Sequence, residues 1–195
     1  MTIAIGPGMR AALMETLEAI AHLMPDALKR ECFLLGGIAM LTIGGDRHTE
    51  DVDIAISPEA LHAFHNSVAQ DGRFSPDGGG GWIFKCTSNA AADISVGVEF
   101  LHIGTDIVPT IKSAEPALHG IMRPGLAELL MMKAYAVRDR MENRDVEDLQ
   151  LVLEKMVQTG QTLDQIALPE EIDLLQSSVA RLGRAYLVLL DMLLV

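Results

Sequence analysis

The chain has 195 residues, 49% of them apolar but 4% aromatic, and a formal net charge of −12. That length suits one domain, or a core with a small helical subdomain, and it can bury a real core built mainly of Leu, Ile, Val, Met and Ala. The composition excludes a disordered chain, no window holds the roughly 20 uninterrupted apolar residues of a membrane span, and the acidic balance disfavours nucleic acid as a partner.

The N-terminal stretch MTIAIGPGMR has no charged segment leading into a long apolar run, so no signal peptide is expected. Residues Gly8 to Leu23 carry an apolar stripe at helical spacing (Ala12, Leu13, Leu17, Ile20, Leu23) and predict a helix that stops before Pro25. A short turn or helix follows over residues 25–30. Glu31 to Leu35 predicts a short strand, Ile38 to Ile43 a short helix, and Gly44-Gly45 a turn. Asp51 to Ser57 predicts the second strand. Ser57 is placed to cap a helix that opens on Pro58 and runs through Ala60, Leu61, Phe64 and Val68. His62 and His65 on that helix read as a solvated face, since no carboxylate ligand follows them.

The Gly-rich run SPDGGGG, from Ser75 to Gly81, predicts a hairpin loop. It lacks the Lys-Ser/Thr that would complete a P-loop. Strands are expected over Trp82 to Thr87 and over Ile94 to Ile103, the longest strand signal in the chain. Thr105 to Met122, broken by Pro109 and Pro116, reads as loop. From Pro124 on the pattern is helical, with a further helix over Arg144 to Gln158 and a last helical stretch over 169–195, split near Gly183. That apolar end would dock on the body or pair with a second subunit. Cys32 and Cys86 lie in apolar strand-like runs and read as buried thiols in a reducing compartment, which points to the cytosol.

The chemistry concentrates in residues 36–56, GGIAMLTIGGDRHTEDVDIAI. In a strand, Asp51 and Asp53 share a face, about 7 Å apart along the chain, while Val52 and Ile54 point into the core. Two like charges side by side are costly unless a cation lies between them, and oxygen-only ligands suit Mg²⁺. Gly36 and Gly37, with a helical pattern behind them, can bring backbone N–H groups up to a phosphate. A phosphate loop beside a carboxylate pair makes a nucleoside triphosphate site.

This arrangement resembles the nucleotidyltransferase (polymerase β-like) superfamily, and within it the AbiEii-type or DUF6036-like branch of small proteins. The resemblance rests on Gly36-Gly37, Arg47, Thr49, Asp51 and Asp53, then on Leu129 to Lys133, Arg138 to Arg140, Arg144-Asp145 and Asp148-Leu149, and covers residues 30–155. It implies an α+β minimal nucleotidyltransferase fold, a mixed sheet flanked by helices. The expected organisation is a core over residues 1–122 and a helical subdomain over 123–195. It implies transfer of a nucleoside monophosphate, most simply AMP, to a hydroxyl acceptor, with two Mg²⁺ ions held by Asp51, Asp53 and a third carboxylate. Glu99, on the strand face shared with Gly97, is the candidate for that third group, and Asp93 competes with it. Arg47, Thr49 and Lys133 take nucleotide-binding roles by the same resemblance. Lys133 has an alternative reading as a long side chain reaching out from an apolar stripe, with Asp148 available to orient it or Arg140. The acceptor is left open between a small molecule, a protein and tRNA, and the partner between a second copy and an antitoxin-like protein. A catalytically degenerate nucleotide-binding or protein-interaction module is the competing class.

Overall fold

The computed structural model describes residues 3–105, 108–163 and 169–194. The chain divides into two compact units, Ile3–Arg123 and the segment from Pro124 on.

The first unit is built on helix α1 (Pro7–Leu23), strand β1 (Cys32–Leu34), helix α2 (Gly36–Thr42), strand β2 (Asp51–Ile56) and helix α3 (Pro58–Val68), followed by β3 (Phe74–Pro76), β4 (Trp82–Lys85), β5 (Ser95–His102), β6 (Ala114–Leu118) and β7 (Ile121–Pro124). The strands form one mixed sheet in the order β3-β4-β5-β2-β1-β7-β6. β2 runs parallel to β5 and antiparallel to β1, and β4 runs antiparallel to both β3 and β5. The expected α+β architecture with a mixed sheet is the one found.

One face of this sheet is the core. α1 begins on Pro7, where a missing N–H costs nothing, and buries Leu13, Leu17 and Ile20 at helical spacing. These meet Val52 and Ile54 of β2 and Val96 and Val98 of β5, all buried by the alternation of a strand. α3 is capped as the sequence predicts, with Ala60 N–H donating to Ser57 Oγ at 3.1 Å. The few aromatic residues are not spread through the core. Five of the eight gather where α3 meets the β3–β4–β5 corner: Phe64 packs on Phe74, Trp82 and Phe100, and Phe74 on Phe84 at 4.8 Å.

Three expectations are corrected. α2 starts at Gly36, so the glycine pair is its first turn and not a loop ahead of it. Ser75 and Pro76 belong to β3, leaving Asp77 to Gly81 as the hairpin loop. The stretch Thr105 to Met122 contains β6 and β7, joined through His119 (φ 53°) and Gly120 (φ 84°). A two-residue turn with both φ values positive matches the right-handed twist of paired strands. Pro116 misleads because β6 is the sheet edge, where a strand tolerates a residue without N–H.

The second unit consists of α4 (Leu126–Asp139), α5 (Asn143–Thr159), α6 (Pro169–Ala180) and α7 (Arg184–Leu193). Gly160 ends α5 in the left-handed conformation, and Gly183 breaks the last stretch as expected. α4 packs on α5 and α6, and α7 on α5 and α6. Between α4 and α5 the buried Lys133 Nζ lies 2.7 Å from Asp148 Oδ2, and Arg140 donates to Asp145 Oδ1 at 2.7 Å. Part of the expected connection, residues 164–168, lies outside the described residues, as do 1–2, 106–107 and 195. Among the described residues no helix is long and apolar enough to cross a membrane. Cys32 and Cys86 are free, buried thiols, and burial together with the neighbouring Glu31 charge pushes Cys32 up to about 12.

Two predictions follow from these contacts. The Lys133–Asp148 pair has side chains 9% and 2% exposed, so Asp148→Ala strands a buried ammonium. Urea unfolding should show a loss of about 3–5 kcal/mol, while Asp139→Asn, at the exposed Arg138 pair, leaves the midpoint unchanged. Glu15 supplies the second case. Burial acts to raise its carboxyl, but hydrogen bonds from Ser88 and Thr87 outweigh that and bring it down to about 2 from 4.5. The bonds therefore favour the folded state above the ordinary value and are lost as pH falls toward the depressed one. Stability measured from pH 5 to pH 2 should fall less steeply in Glu15→Gln than in the wild type.

Candidate functional site

The site is assembled from β2, β5, the start of α2, the segment 43–50 and the β3–β4 loop, all within the first unit. Strand alternation sends Asp51 and Asp53 to the face opposite the Val52–Ile54 core. β5 runs beside β2 in parallel register, pairing Asp51 with Gly97 and Asp53 with Glu99. Paired residues of adjacent strands point the same way, about 4.8 Å apart at the backbone. Glu99 is therefore the cross-strand neighbour of Asp53, and Gly97 leaves the floor beside Asp51 open: a Cβ there would meet nothing closer than Asp51 Cβ at 3.9 Å.

The glycine pair packs against this segment, Gly36 on Asp53 and Gly37 on Thr49. Gly36 has φ 53°, and a Cβ at that position would overlap Asp53 Oδ2. A Cβ on Gly37 would overlap the Thr49 side chain and stand 3.1 Å from Arg47 Nη2. Thr49, 6% exposed, donates its hydroxyl to Asp51 Oδ1 at 2.9 Å. Arg47 donates from Nη1 to His48 O at 3.1 Å. Gly36, Gly37, Arg47, Thr49, Asp51, Asp53 and Glu99 thus lie together around one end of the β2–β5 pair. Lys133 lies in the helical unit, in its pair with Asp148. Asp93, the competing acid, stands in the turn before β5 with φ 67°.

An open cavity of about 430 Å³ lies over this face, lined by Asp51, Gly97 and Glu99 on the sheet and by Asp77 and Gly79 to Gly81 on the β3–β4 loop. Asp77 is the residue that the sequence reading passes over. Its Oδ1 accepts from Gly79 N–H at 2.7 Å and Gly81 N–H at 2.9 Å, which folds the loop around the carboxylate. Gly81 has to be glycine, because a Cβ there would come within 2.7 Å of Asp77 Oδ2 and 2.9 Å of Val98 O. The signal was an acid followed by four glycines; what hid it was the cross-strand pairing of β4 with β5, which delivers the loop to Glu99.

By donor chemistry the carboxylates suit a hard cation, being oxygen-only and on one face. As placed, however, no three His, Cys, Asp or Glu side chains among the described residues are grouped to hold one ion. Asp51 and Glu99 are exposed, and a shared ion requires them to converge from these positions.

No family model and no curated relative matches the chain. Among solved structures it is similar to an antigenic nucleotidyltransferase-like protein from Paracoccidioides brasiliensis, with a TM-score of 0.59 over 98% of this chain and 94% of that one, at 16% identity. The fold is nucleotidyltransferase-like. A second similar structure, ANT(2")-Ia in complex with adenylyl-2"-tobramycin, has a TM-score of 0.45 over 90% of this chain and 98% of that one, at 13% identity. At 16% identity the first likeness is one of fold. On this nucleotidyltransferase-like sheet, the contact of Gly36 with Asp53 gives a direct test. Gly36→Ala combines an overlap with a left-handed backbone, and should cost about 1–3 kcal/mol in a thermal or denaturant melt while displacing the Asp53 carboxylate. The reciprocal Gly36→Ala/Asp53→Ala variant should recover part of that loss, since the overlap is gone.

Proposed function

We propose that the protein is a Mg²⁺-dependent nucleotidyltransferase that moves a nucleoside monophosphate, AMP in the simplest case, from a nucleoside triphosphate to a hydroxyl acceptor. The observation that carries this reading is the shared face of Asp51, Asp53 and Glu99 on the parallel β2–β5 pair, with Gly36 packed against Asp53 and Gly37 against Thr49. Asp51, Asp53 and Glu99 would hold the metal. Bound Mg²⁺ neutralises triphosphate charge and lowers the pKa of a hydroxyl.

The chain's own groups have separable tasks. Thr49 fixes the Asp51 carboxylate through its hydroxyl. Backbone N–H groups of Gly36 and Gly37, in the first turn of α2, would face the phosphate oxygens. Arg47, beside Gly37, adds positive charge. The acceptor oxygen attacks the α-phosphorus and its proton passes to Glu99. The bond from the α-phosphorus to the bridging oxygen breaks, and pyrophosphate leaves. Lys133, expected at the phosphate by the family motif, is engaged with Asp148 in the helical unit. By motif we align the chain with the AbiEii-type or DUF6036-like branch, with a small molecule or protein as acceptor, tRNA disfavoured by the net charge of −12, and a second copy or an antitoxin-like protein as partner. The free thiols suit the cytoplasm.

A second reading, a nucleotide-binding or protein-interaction module without turnover, is favoured by one observation: the acids are not grouped as a three-ligand set. Calorimetric titration with ATP, GTP, CTP and UTP, each with and without Mg²⁺, separates the two. Transferase function predicts Mg²⁺-dependent binding of one nucleotide, weakened at least about tenfold in Asp53→Asn and in Asp51→Asn without loss of fold. Binding of none of the four excludes the transferase and sends the search to protein contacts.

A further inference from the structure

Residues 43–50, which carry Arg47 and Thr49, contain no helix and no extended strand. Gly44 and Gly45 open this segment, and Gly44 has φ 99° with no neighbour within reach of a Cβ. Left to itself, such a stretch would sample many backbone states. Gly45 N–H is tied back to Met40 O at 2.9 Å, and from Asp46 to His48 the segment is held by residues 3–5. Ile5 N–H donates to Asp46 O at 2.6 Å, and His48 N–H donates to Ile3 O at 2.8 Å. Ala4 sits opposite Arg47 in an isolated antiparallel bridge. Ile3 is 77% exposed, so the tie is made by backbone groups and not by side-chain burial.

The tie has a rigid anchor. Gly6 follows at once, Pro7 opens α1, and α1 is the helix whose Leu13, Leu17 and Ile20 fill the core. A continuous path therefore runs from the core through residues 3–5 to Asp46, Arg47 and His48, then through Thr49 to Asp51 Oδ1. We infer that residues Ile3 to Ile5 are positioning residues for the nucleotide site: they set the place of Arg47 and of the Thr49 hydroxyl, and through Thr49 the direction of the Asp51 carboxylate. This rests on the reading of Arg47, Thr49 and Asp51 as nucleotide- and metal-binding groups. It adds that affinity depends on backbone bonds remote from the ligand.

Linkage makes the inference testable in the unaltered protein. If the ordered tie favours nucleotide binding, bound nucleotide must favour the tie by the same factor. Hydrogen exchange at the Ile5 and His48 amides should slow about tenfold when whichever of ATP, GTP, CTP and UTP binds is added with Mg²⁺. Unchanged exchange at both amides, with nucleotide bound, overturns the inference. Ile5→Pro removes the N–H given to Asp46, whereas Ile5→Ala keeps it. Ile5→Pro should speed exchange at His48 and weaken nucleotide binding about tenfold with the melting temperature of the core retained. Ile5→Ala should restore both. A purely structural role would leave affinity unmoved, and equal affinity in Ile5→Pro and wild type overturns the positioning role alone. Absence of nucleotide binding in the wild type overturns the transferase reading and the positioning role with it; faster His48 exchange in Ile5→Pro then still reports the tie itself.

Discussion

The parallel pairing of β2 with β5 is the constraint from which the rest of the site follows. Its register sets Asp53 beside Glu99 and Asp51 beside Gly97. A slip by one residue would turn an entire strand over, sending carboxylates into the core and Val96 and Val98 into water. Burial of Val52, Ile54, Val96 and Val98 under α1 and α3 therefore fixes the position of the acids on the opposite face. The hydrophobic effect pays, in this sense, for holding like charges together: the repulsion among exposed carboxylates is small against the burial of four branched side chains, each contributing about 1.5–3 kcal/mol.

Much of this was legible in the sequence because it depends on period and on local turn chemistry. The alternation of Asp51-Val52-Asp53-Ile54 names its own inner and outer faces, and the same reasoning placed Glu99 and Gly97 together on β5 before any pairing was known. The Ser57–Pro58 start of α3 and the Gly183 break are read from capping and backbone rules. The β6–β7 hairpin was illegible because Pro116 is read as a breaker until its strand is known to be the edge. Asp77 was illegible for a different reason. Nothing local distinguishes it from any acid in a Gly-rich turn, and its significance arises only when β4 pairs with β5. The role of residues 3–5 is of the same kind, since it lies in backbone bonds to a segment some forty positions away.

The helical unit shows the limit of motif reasoning in another way. Lys133, Arg140, Asp145 and Asp148 satisfy a sequence pattern, and their side chains satisfy each other. Lys133 with Asp148 and Arg140 with Asp145 tie the α4 end of the unit to the first two turns of α5, and Asp145, in the first turn, also suits the helix dipole. One oxygen, Asp145 Oδ2, is buried with no hydrogen-bond partner. A lysine already ion-paired within its own unit must exchange that partner for a phosphate before it can bind one, so any contribution from Lys133 is reduced by the strength of the pair it leaves.

The contact between Gly36 and Asp53 bears on how such a chain can drift over generations. While the carboxylate occupies the space a Cβ would need, substitution at position 36 is blocked by sterics, and the left-handed φ of 53° blocks it again. Loss of Asp53 would lift the first barrier and leave the second. Decay of the site would then have a preferred order, with the acid lost first and the glycine persisting after it. A homologue that keeps the glycine but lacks the acid would be a relic of an older active form, whereas the reverse combination should be rare.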